Sequence, residues 1–183
     1  MTKTVLIILA DGFEELEAVG TIDILRRAGC SVIVAALRDK TVTSARKIKI
    51  QADVLLSEVS EPVDALILPG GDAGAKNLSE SATVKTWIRR LNDEKKWIAA
   101  ICAAPAVVLA PTGILDGRKA TGYPGTETGF SSSTKILSEA VVVDGHIITA
   151  SGPGFTIPFA LTLAEKLCGT ETSKKIKQDL LIL

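Results

Sequence analysis

The sequence predicts an α/β fold, a three-layer α/β/α sandwich in which a mostly parallel sheet carries hairpins at its edges. Short runs that are apolar throughout and rich in β-branched residues are typical of strands buried on both faces of a parallel sheet. Segments with helical spacing of apolar residues alternate with these runs, and this alternation requires right-handed crossovers. The 183 residues, 46% of them hydrophobic, predict one domain with a sizeable core over residues 1–183.

The first part of the chain predicts strand, helix, strand and hairpin. Residues 4–10 are continuously apolar and predict the first strand. Residues 14–28 carry apolar side chains at helical spacing, and Gly29 ends this predicted helix. Residues 31–37 predict the second strand. Polar and apolar residues alternate over 41–50, which indicates a half-exposed hairpin whose natural place is an edge of the sheet.

The middle of the chain repeats the alternation twice. Residues 63–68 predict a buried strand that runs into an open, glycine-rich loop over 69–74. A helix is predicted over 81–92 from one apolar stripe. Residues 97–101 predict the next strand, and residues 103–109 a helix that follows it at once.

The last part predicts a loop, a hairpin and two helices. Residues 115–135 are rich in Gly, Thr and Ser and are assigned mostly to loop. Two short apolar runs, 140–143 and 146–150, flank an Asp-Gly pair, which is a strong hairpin signal. An amphipathic helix is predicted over 155–167 and a short final helix over 172–179.

The junction at residues 97–105 is the strongest candidate for a reactive site. Cys102 stands where the predicted strand stops and the helix begins, and Ala100 and Ala104 flank it where a nucleophile elbow needs small side chains. Pro105 suits the first turn of a helix. A helix N-terminus favours negative charge, so the pattern predicts a thiol of lowered pKa. The alternative is that Cys102 is a buried apolar filler, as free cysteines commonly are.

Three loops are predicted to meet at this junction. In doubly wound sheets, sites form beyond the carboxyl ends of the strands, so the loops after residues 10, 68 and 101 should lie together. The first loop brings Glu17, whose carboxyl group in a partly buried pocket would be kept neutral and would donate a hydrogen bond to a thiolate. The alternative for Glu17 is that acidic residues simply favour first helical turns.

The second loop offers backbone donors to the same junction. Gly70 and Gly71 expose N–H groups without side-chain obstruction, and together with the Ala103 amide they could form an oxyanion hole. The loop matches neither common phosphate-binding glycine pattern. The single histidine, His146, follows an Asp-Gly turn and is interpreted as a surface strand residue, so a Cys-His catalytic pair has little support.

Composition excludes several function classes. Acidic and basic residues both number 21, so no net field attracts nucleic acid or an anionic membrane. Three widely spaced cysteines fit free thiols in a reducing compartment, and no metal site is predicted. No apolar segment approaches the length of a membrane span, and the N-terminal run does not resemble a signal peptide. We expect a cytoplasmic protein.

Five segments together resemble the ThiJ/PfpI superfamily, in the branch of the parkinsonism-associated protein deglycase. Each segment alone is a weak signal, but together they are highly specific, and the match extends over nearly the whole chain. The segments are residues 10–17, 26–29, 68–71 with 77–81, 99–105 and 152–154.

The resemblance implies a flavodoxin-like homodimer with a reactive Cys102, a protonated Glu17 and amide donors at Gly71 and Ala103. It also implies that Arg46 lies near the dimer interface with Glu14 of the other subunit. Members of this branch convert methylglyoxal or glyoxal to hydroxy acids without glutathione, are described as protein and nucleotide deglycases, and oxidise the cysteine to sulfinate under stress.

The same resemblance implies that Arg27 lies near the pocket mouth, as a further dimer-interface candidate. Two departures from the family pattern are visible. Tyr123 stands where many members have a histidine near the cysteine, and a phenol of ordinary pKa would donate a hydrogen bond rather than act as a base. Ala103 stands where the peptidase-like branch has a histidine, which makes proteolysis the poorer interpretation.

The leading hypothesis is therefore a cofactor-independent glyoxalase or deglycase acting on a small dicarbonyl. Cys102 attacks the aldehyde, Gly71 and Ala103 stabilise the oxyanion, and Glu17 exchanges protons. The alternative is a redox sensor or redox-controlled chaperone in which Cys102 is oxidised to sulfinate. Both hypotheses use the same residues, so the sequence leaves them open.

Overall fold

The computed structural model describes residues 2–182; Met1 and Leu183, the two ends of the predicted domain, lie outside them. The helices are α1 (Glu15–Arg27), α2 (Asp72–Glu80), α3 (Ala82–Asp93), α4 (Thr156–Cys168) and α5 (Thr170–Asp179). The strands are β1 (Thr4–Leu9), β2 (Ser31–Ala36), β3 (Thr41–Thr43), β4 (Lys49–Gln51), β5 (Val54–Leu55), β6 (Ala65–Leu68), β7 (Trp97–Ile101), β8 (Lys119–Ala120), β9 (Lys135–Ile136), β10 (Val141–Asp144) and β11 (Ile147–Ala150).

A seven-stranded sheet in the order β10-β11-β7-β6-β1-β2-β5 forms the middle layer, and it is parallel except at β10. Alternate residues of β1 enter two different apolar cores. Val5, Ile7 and Leu9 pack with α1 and α4 on one face, whereas Leu6 and Ile8 pack with α2 and α3 on the other. Burial on both faces explains the uninterrupted apolar run, and the predicted α/β/α layers are confirmed.

The β10–β11 hairpin closes one edge of the sheet, as predicted. The β3–β4 hairpin is also present, but the edge position predicted for it is wrong, because these strands form a separate two-stranded sheet. The hairpin lies over the loop after β1, where Gly12 N donates to Thr43 O at 2.7 Å and Thr43 N donates to the Asp11 carboxylate at 2.8 Å. The hairpin therefore covers the carboxyl ends of the strands.

Helix α2 replaces the second half of the loop predicted over residues 69–74. The helix is short and contains Gly74. Because glycine has a low helix propensity, the sequence pattern does not predict a helix here. A side chain at residue 74 is excluded by packing, since an added Cβ would lie 2.7 Å from Phe13 Cα. The loop after β6 thus consists of three residues, which places α2 directly against the start of α1.

The segment after β7 also differs from the prediction. Instead of an α-helix over 103–109, the chain makes a tight turn and then a π-helical turn at Pro105–Leu109. Residues 115–135 are mostly turns, as predicted, with β8 and β9 forming a short parallel pair at their ends. Helices α1, α3, α4 and α5 lie where they are predicted, within two residues at either end. Within residues 2–182, every helix is too short or too polar to span a bilayer.

Candidate active site

The three predicted loops meet beyond the carboxyl ends of β1, β6 and β7, which are neighbours in the sheet. Gly70 N donates to the Glu17 carboxylate at 2.6 Å, and Glu14 N donates to Gly70 O at 3.1 Å. A Cβ added to Gly70 would lie 2.6 Å from the Cβ of Cys102 and 2.9 Å from a Glu17 oxygen. Only glycine at residue 70 therefore allows Glu17 and Cys102 to approach each other.

Cys102 occupies a strained backbone corner. Its φ of 64° is left-handed, which costs an L-residue with a side chain about 1–2 kcal/mol. Two backbone bonds hold the corner, since Cys102 N donates to Ala150 O at 2.9 Å and Tyr123 N donates to Cys102 O at 2.8 Å. Backbone strain that neighbouring hydrogen bonds maintain in this way is typical of functional sites.

Glu17 is the most completely buried carboxyl group at the junction, with 1% of its surface exposed. Burial raises the pKa of Glu17 to about 7, while hydrogen bonds from Gly70 and Cys102 lower it and the Glu14 charge raises it. Its second oxygen, Oε1, has no hydrogen-bond partner among the described residues. The carboxyl group is therefore poised to gain or lose a proton near neutral pH.

The expectation of an intrinsically acidic thiol at Cys102 is not met. Burial and, after it, the adjacent Glu17 carboxylate together raise the pKa of Cys102 to about 12. The amides of Gly71 and Ala103 act in the opposite direction, because they donate hydrogen bonds to the sulfur. The two acidic groups are in hydrogen-bonding contact and titrate as a pair, so the reactive form is the one in which they share a single proton.

The pH dependence of thiol alkylation tests this pairing. Below about pH 7 both groups hold protons, so the rate of Cys102 alkylation by iodoacetamide is expected to rise as the pH passes through the Glu17 pKa. In Glu17→Gln the side chain cannot accept the thiol proton, and the rise is expected at higher pH. Peptide-resolved mass spectrometry against pH measures both curves. An unchanged midpoint in the variant would contradict the pairing.

A cleft of about 600 Å³ opens above Cys102. Its walls come from the loop after β1, the start of α2, the β3–β4 hairpin and the loop before α4. The lining residues include Glu14, Arg46, Gly71, Tyr123 and Pro153. The sulfur therefore faces a solvent-connected space in which polar and apolar groups mix, although only 8% of Cys102 is exposed.

Comparisons with known proteins identify the family and the fold of the chain. The sequence model of the DJ-1/PfpI family matches residues 3–166. The chain belongs to the DJ-1/PfpI family. It is 40% identical over 185 residues to the Parkinson disease protein 7 homolog of Danio rerio, with 98% of this chain and 97% of that protein covered. The crystal structure of Drosophila melanogaster DJ-1beta matches with a TM-score of 0.96 at 39% identity, over 100% of both chains, and confirms the flavodoxin-like fold.

One relative of the DJ-1/PfpI chain is named for an enzymatic activity. The glutathione-independent glyoxalase DJR-1.2 of Caenorhabditis elegans is 33% identical over 180 residues, covering 97% of this chain and 96% of that protein. Two Arabidopsis thaliana relatives, protein DJ-1 homologs A and B, are 40% and 39% identical. The chain spans about half the length of those two, 47% and 42% respectively.

In this DJ-1/PfpI chain the remaining predicted residues fall in different places. Glu14 caps α1 by accepting a hydrogen bond from Glu17 N at 2.9 Å, and Arg46 is exposed on the hairpin loop. Tyr123 is partly exposed on the cleft wall beside Gly152. Arg27 is not at the pocket mouth of its own chain, because it ends α1 about 15 Å beyond Glu17. There it binds Asp23 at 2.8 Å.

His146 lies at the opposite end of the sheet from Cys102. It precedes β11, whose far end, Ala150, accepts the hydrogen bond from Cys102 N. Its ring instead contacts Asn92 at 3.0 Å. A direct proton transfer between His146 and Cys102 is therefore excluded by position.

Sequence reasoning did not single out the residues that fasten the hairpin over the site. Asn77 donates to Asp11 O at 2.9 Å, and the Asp11 carboxylate accepts from Thr43 N at 2.8 Å. Asp11, Thr43 and Asn77 all line the cleft. The only signal was that residues 11 and 77 lie in segments that carry the family resemblance, since nothing in the spacing of these residues indicates that they meet.

Proposed function

We propose that the protein is a glutathione-independent glyoxalase of the DJ-1/PfpI family, acting on methylglyoxal, glyoxal or their early adducts. The observation that carries this proposal is the contact between Cys102 and the buried Glu17, whose pKa of about 7 suits proton exchange at neutral pH. The similarity to a nematode glyoxalase supports the same reaction class.

The first step joins the sulfur to the aldehyde. As Cys102 Sγ attacks the aldehyde carbon of methylglyoxal, its proton passes to the Glu17 carboxylate and the carbonyl oxygen becomes an alkoxide. The amides of Gly71 and Ala103 face the sulfur and are therefore next to any oxygen on the carbon bonded to it. Protonation of that oxygen by Glu17 completes the hemithioacetal.

The second step moves hydrogen between the two carbons of the substrate. Glu17 removes the proton from the carbon bonded to sulfur and returns it to the neighbouring carbon. The hydroxyl proton on the sulfur-bearing carbon moves to the oxygen of the neighbouring carbon, which gives a thioester of lactate. Water then breaks the bond between sulfur and the acyl carbon and regenerates the thiol. The dicarbonyl and water are the only reactants and lactate is the only product, so these reaction steps require no cofactor.

The cleft favours a substrate with a small reactive end. Because only 8% of Cys102 is exposed, a short aldehyde reaches the sulfur most readily. The open space above accommodates a larger group attached to that end, which is why we include early aldehyde adducts, the substrates of a deglycase, in the proposal.

Lactate formation from methylglyoxal in the absence of glutathione tests the proposal. Purified protein is expected to produce lactate, predominantly one enantiomer, as measured by D- and L-lactate dehydrogenase assays. Pretreatment with iodoacetamide should remove the activity by alkylating Cys102. Lactate formation that survives complete alkylation of Cys102 would contradict the mechanism.

We further propose that the protein acts as a homodimer through one surface of α1 and the start of α4. Leu16 and Val19 are exposed on α1, 63% and 48% respectively. Gly20 on the same helix packs against Thr156. The neighbours of Thr156, the exposed Phe155 and Ile157, therefore lie beside the exposed side chains of α1. A contiguous apolar surface of this kind is typical of an interface.

A buried charge on the same helix supports a second copy as the occupant. Glu15 is only 9% exposed, yet neither carboxylate oxygen has a hydrogen-bond partner among the described residues. A buried carboxylate is costly without a partner, and a second chain could supply one. The proposal includes the pairing of Arg46 with Glu14 of the second copy, and Arg27 as a further contact at the other end of α1.

Light scattering tests the dimer. The wild type is expected at twice the 19.2 kDa chain mass, and Val19→Arg is expected to be monomeric because it places a charge in the apolar surface. Val143→Arg is the matched control, since Val143 is an exposed valine on β10, outside that surface. A monomeric wild type, or equal dissociation of both variants, would contradict the proposal.

A redox sensor or redox-controlled chaperone is the second candidate function. The contact between Cys102 and Glu17 favours this function as well. Amides of Gly71 and Ala103 that donate to sulfur could also stabilise the oxygens of a sulfinate, and protonated Glu17 could donate to one of them. Limited peroxide is then expected to add two oxygens to Cys102. The free thiols also suit a cytoplasmic protein in a reducing compartment.

A further inference from the structure

Two cysteines distant in sequence meet on the side of the molecule formed by α1 and α4. The Sγ atoms of Cys30 and Cys168 are 3.5 Å apart, although the residues are separated by 138 positions. Cys30 lies between α1 and β2, and Cys168 is the last residue of α4. Neither residue takes part in the chemistry proposed for Cys102.

One member of this pair is fixed and the other is adjustable. Cys30 is 7% exposed, belongs to the apolar core and donates its N–H to Leu25 O at 3.0 Å. Cys168 is more accessible and is followed by Gly169, which has a φ of 91° and no atom within 4 Å of an added Cβ. The open space around Gly169 leaves room for the end of α4 to shift toward Cys30.

We propose that Cys30 and Cys168 form a reversible intramolecular disulfide when the protein meets a peroxide. A disulfide has a sulfur–sulfur bond of about 2.05 Å, so the two sulfurs must approach by roughly 1.5 Å. Movement of the last turn of α4, whose Leu167 packs in the same core as Cys30, supplies this approach. The pair is thus a modification site separate from Cys102.

The reaction balances with peroxide as the oxidant. The Cys168 thiolate attacks one peroxide oxygen, a sulfur–oxygen bond forms, the oxygen–oxygen bond breaks and water leaves, which gives a sulfenic acid. Cys30 sulfur then attacks Cys168 sulfur, the sulfur–oxygen bond breaks, and the departing hydroxide takes the Cys30 proton to form a second water. The two thiols together lose two electrons, which reduce the peroxide.

Accessibility sets the order of these events. Cys168 is the member that solvent reaches, so it meets the peroxide first. Cys30 is shielded, and burial together with the neighbouring Cys168 sulfur raises the pKa of its thiol to about 12, so it stays protonated and does not compete for the peroxide. Cys30 therefore acts as the resolving thiol, for which contact with the sulfenic acid matters more than exposure.

The bond would fasten the end of α4 to the entrance of β2. Helix α4 extends about 18 Å from Thr156, which packs on α1 near Glu17, to Cys168. The disulfide therefore closes the far end of the α1–α4 pair. It depends neither on the glyoxalase reaction nor on sulfinate formation, and its test can use a chain that lacks the Cys102 thiol.

The test treats reduced Cys102→Ser with hydrogen peroxide, blocks remaining thiols with N-ethylmaleimide in denaturant, and maps peptides by mass spectrometry. The expected product lacks two hydrogen atoms, carries no maleimide, and yields one peptide pair joining Cys30 to Cys168 that dithiothreitol separates. The same linked peptide is expected from the wild type, which keeps the test valid if Cys102→Ser folds poorly.

Cys30→Ser in the Cys102→Ser background is the matched control. Without the resolving thiol, the sulfenic acid on Cys168 should persist and be captured by dimedone, whereas the parent variant should show little dimedone adduct. Sulfinate on Cys168 beside a free Cys30 in the parent variant would overturn the proposal. So would a disulfide that joins two chains, or a linked peptide that appears only after unfolding.

Discussion

Lactate formation from methylglyoxal is expected to fall at least about 1,000-fold when Cys102 is replaced by serine. A serine hydroxyl at the same elbow has the shape of the thiol but is a far weaker acid, so Glu17 with a pKa of about 7 cannot deprotonate it effectively. The amides of Gly71 and Ala103 would remain in place, which isolates the loss to the nucleophile.

Cys168→Ser provides the matched control for this substitution. It makes the same chemical change at a partly exposed thiol outside the cleft, and its activity in reducing buffer is expected to equal that of the wild type. Glu17→Gln adds a second comparison, because loss of a general acid–base group typically costs 10²–10⁴-fold in rate. Activity in Cys102→Ser above about a tenth of the wild-type value would contradict a covalent mechanism at this residue.

The location of the site follows from sequence because it depends on topology. Apolar runs and alternating helices predict a parallel sheet, and in such a sheet adjacent strands deliver their loops to one edge. Cys102, Glu17 and Gly70 come from three different loops, yet their meeting was predicted without any contact information. The sharp corner at Cys102 was likewise indicated by the small residues around it, although its left-handed φ was not predicted.

The proton chemistry of the site could not be predicted in the same way. The pKa of a buried group depends on how completely neighbouring chain segments exclude water, and no local pattern encodes the 1% exposure of Glu17. The sequence supported a thiol acidified by a helix end, whereas the structure has a π-helical turn after Cys102 and a carboxylate beside the sulfur. Burial and the adjacent charge raise the thiol pKa.

Long-range placements were missed for a related reason. The β3–β4 hairpin was correctly recognised, but its position over the site depends on hydrogen bonds between Thr43 and residues 11 and 12, which only folding brings together. The nearness of Cys30 and Cys168 has no sequence signal either, since 138 positions separate them. Local propensity predicts elements, and tertiary packing decides which of their ends meet.

Glu17→Gln is expected to stabilise the protein at pH 8 by up to about 3 kcal/mol and to leave its stability nearly unchanged at pH 4.5. The folded-state pKa of Glu17, about 7, lies above its ordinary value of 4.5, so folding favours the protonated form. The contribution of Glu17 is therefore complete below pH 4.5 and is lost as the pH rises through about 7. A glutamine stays neutral and escapes this loss.

The shape of the glutamine supports a clean comparison. Its amide oxygen can accept the hydrogen bond from Gly70 N that the carboxylate accepts at 2.6 Å, and its size is that of glutamate. The free energy of unfolding should be measured by urea denaturation at fixed protein concentration, because an associating chain gains stability from concentration.

Glu139→Gln is the control, since that side chain is exposed and its charge is hydrated in both folded and unfolded chains. It is expected to shift the unfolding free energy equally at both pH values. For Glu17→Gln, a difference from wild type that is the same at pH 4.5 and pH 8 would mean that Glu17 does not carry a raised pKa. If Glu17→Gln stabilises the protein more at pH 8 than at pH 4.5, the ionised Glu17 of the wild type destabilises the fold. A destabilising carboxyl group is expected at this position if proton exchange with Cys102 requires a glutamate there.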